Sequence, residues 1–310
     1  MPRFARCVFA VFLAVSCLSS SLTCQAAAPE TAAAAFILME AGSGRVLSSR
    51  NETQERSIAS TTKIMTCLIA LEHSELTEKV TVKREHLREG SSMYLLEGET
   101  LTMEELLYGL MLPSGNDAAV AIAGECGGMT AFVGKMNAKA AELGLTDTHF
   151  DNPNGLPSDT HYTTAHELAK ITAAALKDPV FRQIVSTKSC TVSGHALSNH
   201  NRLLSMYDGA IGVKTGFTRA AGRCLVSAAE RNGRTIIAVT LNDPNDWNDH
   251  REMLDAGFAQ YSEVTLHKAG DTIANARVFG GDTASVPLAA KNTVTAYLLP
   301  GEKEKLQRVR

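Results

Sequence analysis

Apolar and polar positions fall into three textures along the chain. AFILMEAGSGRVLSSRN (35–51) is two apolar runs broken by Gly-Ser-Gly, the pattern of a β-hairpin. From Ser60 the apolar residues recur at helical spacing, beginning with IASTTKIMTCLI (58–69). MEELLYGLMLPS (103–114) places Leu106, Leu107, Leu110 and Met111 on one stripe, and Pro113 stops it. NDAAVAIAGECGG (116–128) predicts a buried helix closed by glycines. MTAFVGKMNAKAAELGL (129–145) predicts the next, with Thr130 as its cap. HFDNPNGLPSD (149–159) is turn chemistry throughout, and TTAHELAKITAAALKD (163–178) returns to helix. CLVSAAERNGRTIIAVTLND (224–243) reads as two strands around Asn232-Gly233, and HREMLDAGFAQYS (250–262) as a short amphipathic helix. After about residue 263 the helical period vanishes, and short alternating segments separated by Gly, Asp and Asn predict a small β-rich unit. With strands at both ends of the main region and helices between, the expected class is α/β in the α+β sense. An antiparallel sheet is flanked by helices, with a helical subdomain inserted.

The first 28 residues do not fit this pattern. Arg3 and Arg6 precede an apolar core, and small residues ending at Ala26, Ala27 and Ala28 follow. That is the layout of a cleavable secretory signal, and its apolar core is short for a membrane span. AVSC, ending at Cys17, is a weaker lipoprotein-like alternative. The expected organisation is a signal over 1–28, a main domain over 29–262 and a small, incomplete β domain over 263–310. Without residues 1–28 the chain keeps 28 of its 30 basic residues and all 33 acidic ones, a net charge of −5. No basic run marks a nucleic-acid surface. Cys67, Cys126, Cys190 and Cys224 lie outside the signal at wide spacings and read as free, although export permits disulfides.

Ser60 and Lys63, three apart at a helix start, share a face. Taken alone the pair reads as a cap and a solvated lysine. Two further pieces change that reading. Ser114-Gly115-Asn116 lies between two apolar helices, and Lys214-Thr215-Gly216 precedes the Asn232-Gly233 hairpin. S-x-x-K, S-x-N and K-T-G in this order are the motif set of penicillin-binding proteins and serine β-lactamases. A serine hydroxyl needs a base to attack, and a lysine serves when burial or a second cation lowers its pKa. Lys214 supplies that cation, and Ser114 can pass a proton between Lys63 and the leaving amine. Asn116 can hold Lys63 or a substrate amide. The N–H groups of Ser60 and Phe217 are candidates for an oxyanion hole.

The chain resembles the D-alanyl-D-alanine carboxypeptidases, the low-molecular-weight penicillin-binding proteins related to penicillin-binding protein 5. FILMEAGSGRVL, SIASTTKIMT, LLYGLMLPSGNDAAVAIA, THFDNPNGLP, HYTTAHELAKI and GAIGVKTGFTRAAGRCLVSAAERNGRTIIAV carry the resemblance, which spans about 30–262. It implies a β-lactamase/transpeptidase-like fold and no cofactor or metal. Ser60 is acylated by the D-Ala-D-Ala end of a peptidoglycan stem peptide, with Lys63 and Ser114 as the other catalytic residues. Asn116, Lys214, Thr215, Gly216 and Phe217 bind substrate, and Arg251 matches the position of a carboxylate-binding arginine. β-lactam antibiotics are implied as covalent inhibitors. The site faces the outside of the cytoplasmic membrane, with membrane contact only through a C-terminal anchor that the sequence does not include. Close rivals are a D,D-endopeptidase of the same family and a β-lactamase, for which Glu167 is the candidate glutamate but reads as a surface residue. A wall-binding protein with a relict site is a more distant rival. His149, His161 and His166 read as turn and helix-surface residues, because His166-Glu167 lacks a histidine four positions on.

Overall fold

The computed structural model describes residues 30–279 and 283–306. The signal-like stretch lies outside them. β1 (Ala35–Glu40) and β2 (Val46–Arg50) form the expected hairpin. A 3₁₀ turn over Ala59–Thr62 runs directly into α1 (Lys63–His73). β3 (Lys79–Thr81) and β4 (Thr100–Thr102) pair as a short ribbon. The helical part follows as α2 (Met103–Met111), α3 (Asn116–Glu125), α4 (Met129–Glu142), α5 (Ala165–Ala175) and α6 (Pro179–Ser186). β5 (Ser189–Val192) and β6 (His195–Ser198) form a second ribbon before the single turn α7 (Leu203–Met206). The chain then lays down β7 (Ala210–Thr218), β8 (Gly222–Arg231), β9 (Arg234–Leu241) and α8 (Asp246–Gln260). β10 (Ser262–His267) pairs with β13 (Val294–Leu298), β11 (Thr272–Arg277) pairs with β12 (Ser285–Ala289), and α9 (Glu302–Leu306) follows.

The main sheet runs β2-β1-β9-β8-β7, antiparallel throughout, so its first two strands join its last three. β1 is buried at all six positions because both faces of the sheet are covered. Ile37, Met39, Val226, Ala228, Ile237 and Val239 pack into the larger core with the helices that include α1, α2 and α3. Phe36, Leu38, Leu225, Ala229, Ile236 and Ala238 pack on the opposite side with Met253 and Leu254 of α8. This is the period-two alternation of a strand, filled on both sides. α1 lies in the middle of the larger core, with eight of its eleven residues buried, Lys63 among them. β7 sits at the end of the sheet, where its outer edge is unpaired within it.

Lys214-Thr215-Gly216 precedes the β8–β9 hairpin and forms part of the edge strand β7, as the resemblance implies. Other sequence expectations shift. α8 begins at Asp246, four residues earlier than the apolar pattern suggests, with Asp246 and Asp249 in its first turn, where the helix dipole favours carboxylates. Thr130 does not cap α4. Gly128 takes that place with a positive φ and no side-chain cap. The two ribbons are three or four residues per strand, too short for alternation to register in sequence.

The turn at 149–159 is held against the start of α1. Asn152 Oδ1 accepts from the Gly155 and Leu156 amides, and Thr66 Oγ1 donates to the Pro153 carbonyl at 2.6 Å. Gly155 has φ +84°, and a Cβ there would lie 1.9 Å from the Ala59 carbonyl oxygen. Gly155→Ala is therefore expected to lower unfolding free energy by about 2–4 kcal/mol, from left-handed backbone cost plus the clash. A chemical-denaturation midpoint unchanged from wild type would contradict this.

Candidate active site

The 3₁₀ turn presents Ser60 half-buried, with Lys63 one turn on and completely buried. Lys63 Nζ lies 3.1 Å from Ser60 Oγ, 2.8 Å from Asn116 Oδ1 and 2.7 Å from the Asn154 carbonyl. Asn116 cannot turn its amide around, because its Nδ2 donates to the Glu89 carbonyl at 3.0 Å. Burial without a carboxylate partner pushes the Lys63 pKa well below the usual lysine range. The nearby Lys214 charge lowers it further, and Asp117 opposes both. A neutral amine has two N–H donors and one lone pair. Given to Asn116 and Asn154, the donors leave the lone pair facing the Ser60 hydroxyl. That is the geometry of a base on its nucleophile.

Asp117 exerts its influence from a fixed place. Its carboxylate accepts from Ser92 Oγ and from the amides of Met93, Leu95 and Ala118. Ser114 precedes it in the loop between α2 and α3, with φ at 65°, and Ala59 beside Ser60 has φ 48°. Left-handed backbone at non-glycine residues costs about 1–2 kcal/mol each and persists only when surrounding packing enforces it. Ser114 Oγ is buried and has no hydrogen-bond partner among the described residues. A buried hydroxyl without a partner is destabilising, unless something entering the cleft satisfies it.

Lys214, 1% exposed, comes from the middle of β7, and burial lowers its pKa to about 7. Its Nζ donates to the Thr215 carbonyl at 3.1 Å. Gly216 is required by close approach. A Cβ there would sit 3.0 Å from the Ile58 carbonyl and 3.1 Å from the Ser60 and Thr61 nitrogens. Glycine thus lets β7 touch the turn that carries Ser60 and bring the Ser60 N–H beside the strand that carries Phe217. Ser60, Ser114, Thr215, Gly216 and Phe217 line one cleft of about 290 Å³, and Phe217 is 66% exposed at its mouth.

Of the sequence candidates, Ser60, Lys63, Ser114, Asn116, Lys214, Thr215, Gly216 and Phe217 converge here. Arg251 does not line the cleft. His250, Met253, Leu254 and Gly257 form the buried face of α8, and Arg251 points to solvent from the other face. Arg223 and Trp247 line the cleft instead, with the Asp246 carboxylate that Arg223 grips. Glu167 is not a surface residue. It is buried and accepts from the Thr146 and Asp147 amides and from Thr148 Oγ1, so it staples a turn and is absent from the cleft lining. His161 is buried too, 2.8 Å from Thr62 Oγ1, and burial lowers its pKa to about 4, which keeps it neutral. Among the described residues no group of three or more His, Cys, Asp or Glu is placed to hold a metal. The sequence points to the Asp151–Gly155 turn as lying near the cleft but gives Asn154 no role, because Asn154 acts through its backbone carbonyl. The only signal was the density of turn residues around it.

A family model described as D-alanyl-D-alanine carboxypeptidase matches residues 22–245, and one for the penicillin-binding protein 5 C-terminal domain matches 261–309. The chain is 37% identical over 274 residues to the D-alanyl-D-alanine carboxypeptidase of Streptomyces sp. strain K15, covering 80% of this chain and 94% of that one. It is 33% identical over 298 residues to DacC of Escherichia coli K12, covering 90% and 74%. A serine-to-alanine mutant of the Streptomyces K15 DD-transpeptidase superposes with a TM-score of 0.71 at 38% identity, over 74% of this chain and 99% of that one. A Mycobacterium tuberculosis D-alanyl-D-alanine carboxypeptidase gives 0.72 at 36%, over 75% and 93%. On this fold, this cleft and these matches, the chain belongs to the D-alanyl-D-alanine carboxypeptidase family of serine peptidases.

Proposed function

We propose that this protein removes the terminal D-alanine from peptidoglycan stem peptides through an acyl-enzyme on Ser60. One observation carries the reading: a wholly buried Lys63 amine, poised on Ser60 Oγ with its donors committed elsewhere. The peptide lies along the free edge of β7 as an added strand. Its terminal carboxylate meets Lys214 and Thr215. Lys63 takes the Ser60 proton as Oγ bonds to the penultimate carbonyl carbon. The oxyanion faces the Ser60 and Phe217 N–H groups. As the C–N bond breaks, the proton returns through the unpartnered Ser114 hydroxyl to the leaving D-alanine nitrogen. Water then attacks the ester, Lys63 accepts its proton, and the shortened peptide leaves with Ser60 restored.

A β-lactam presents a similar carboxylate and acyl carbon and should acylate the same serine. Glu167, tied up at the 146–148 turn, does not supply the water-activating carboxylate that a class A β-lactamase uses, so deacylation should be slow. The N-terminal signal pattern and the peptidoglycan substrate support a location outside the cytoplasmic membrane. Among the described residues no helix is long and apolar enough to cross a membrane.

Fluorescent penicillin is expected to label the wild type covalently and durably, and Ser60→Ala should abolish labelling. A peptide ending in D-Ala-D-Ala should yield one free D-alanine per turnover. Release of none, with cross-linked dimers cut instead, would favour an endopeptidase. Rapid β-lactam turnover without a lasting adduct would favour a β-lactamase.

The lysines also set the pH profile. Lys214 holds its charge below about pH 7 and loses it above. The kcat/KM for free-acid substrates, which reports the free enzyme, should therefore fall as pH rises through about 7. In the saturated complex the bound carboxylate stabilises the ammonium, so kcat should fall only at higher pH. Lys214→Gln should give a low rate without that alkaline limb. A wild-type kcat/KM still rising between pH 7 and 9 would contradict the assignment.

A further inference from the structure

The cleft contains a cation that the motif set does not account for. Arg223 begins the strand beside β7 and pairs across the ladder with Phe217, while Thr215 pairs with Leu225. Opposed residues in an antiparallel pair share a face, so Thr215 and Arg223 are diagonal neighbours on one side of the sheet. That is a separation of roughly 7–8 Å between backbones, within reach of a long side chain. The guanidinium is held in place. Nε donates to Asp246 Oδ2 at 3.1 Å, and Nη2 reaches Asp246 Oδ1 and Oδ2 at 2.9 and 2.8 Å. Trp247 lies under the guanidinium, its ring centroid 5.7 Å from Cζ. The Asp246 side chain is 4% exposed, whereas that of Arg223 is 43% exposed and lines the cleft that holds Ser60.

A guanidinium has five N–H donors arranged on two usable edges. Asp246 takes the Nε/Nη2 edge. The Nη1 side has no hydrogen bond to any described residue and matches a carboxylate, which accepts two parallel N–H bonds. We propose that Arg223 binds the substrate's terminal carboxylate together with Thr215 and Lys214, with Asp246 and Trp247 as positioning residues. This rests on the peptidase reading above and names a further residue that selects a free chain end. It also gives Arg223 the place that the family resemblance assigns to Arg251. Because Asp246 neutralises much of the charge, selection comes from the fixed fork more than from the net field. The effect is accordingly one of hydrogen-bond geometry.

The test compares an N-acylated peptide ending in free D-Ala-D-Ala with the same peptide as its C-terminal amide. Relative to wild type, Arg223→Gln should lower kcat/KM for the free acid about 10- to 100-fold, mostly through KM, the size expected for a charged hydrogen bond. The amide rate should stay within about twofold. Arg223→Gln leaves the Asp246 carboxylate without its partner and can lower stability, so Arg223→Lys is run alongside. Lysine keeps the pair with Asp246 but lacks the second edge, and should behave like glutamine toward the free acid. Arg251→Gln should match wild type on both peptides. Equal loss on acid and amide would overturn the proposal, as would wild-type selectivity in both Arg223 variants or loss of selectivity in Arg251→Gln alone. Failure of the wild type to release D-alanine from either peptide would instead overturn the peptidase reading.

Discussion

A lysine amine deprived of water is the constraint on which the site depends. Isolated charge in a dry interior is so costly that a buried lysine gives up its proton unless a carboxylate meets it. Among the described residues no acidic side chain hydrogen-bonds to Lys63. Its three partners are one hydroxyl, one amide oxygen and one backbone carbonyl. Asp117 is held away by four donors of its own and limits how far the pKa falls without forming an ion pair. Lys214 adds a second desolvated cation, and its repulsion falls on Lys63, the more heavily hydrogen-bonded of the two. The architecture follows from this requirement. Water can be excluded from Lys63 only if its helix runs through the middle of the core, as α1 does.

A base and its nucleophile on one helix are simple to align, since the peptide geometry does it. The rest of the cleft comes from distant chain and is held by close backbone approach. Gly155 sets the 149–159 turn against the Ala59 carbonyl, and through that contact presents the Asn154 oxygen to Lys63. Gly216 lets β7 reach the Ser60 amide. Two non-glycine residues are left-handed here, Ala59 next to Ser60 and Ser114 itself. Glycine is used where space forbids a side chain, and strain is tolerated where a side chain must be aimed. Both depend on the sheet, whose two filled faces leave little freedom for β7 to move away from α1.

Much of this could be read from the sequence, and the misses have a common cause. Ser60, Lys63, Ser114, Asn116 and Lys214 were legible because their chemistry is unusual for their positions and their order is fixed. The β1–β2 and β8–β9 hairpins were legible from turn residues and alternation. What escaped acts through backbone or through contacts between residues far apart. Asn154 contributes a carbonyl that any residue carries. Glu167 and His161 look like surface residues on a helix and a turn, yet each is buried by a loop from elsewhere, at Thr146–Thr148 and at Thr62 respectively. Arg223 and Arg251 are indistinguishable as letters. What separates them is which face of α8 is buried and which sheet neighbour faces the cleft, and neither is a local property.

The position of Arg223 also bears on what kind of substrate the cleft suits. A peptide added to the edge of β7 has no inherent end, because strand addition repeats with the backbone and would accept the middle of a chain as readily as its terminus. Side chains that meet the carboxylate, and not the backbone ladder, must distinguish the two. The β7–β8 turn and the start of α8 bring Arg223, Asp246 and Trp247 to the cleft wall beside Thr215 and Phe217. A fixed guanidinium edge there rewards a carboxylate and is left without an acceptor by a continuing amide, which offers one oxygen and an N–H of its own. Discrimination of this type is large because it turns on an unmatched polar group, whereas apolar shape alone separates ligands weakly. On this argument the acylating machinery of Ser60 and Lys63 is indifferent to where in a peptide it cuts. The preference for a chain end lies in the side chains that meet the carboxylate, Lys214 and Thr215 on β7 together with the Arg223 fork held at the start of β8 and α8.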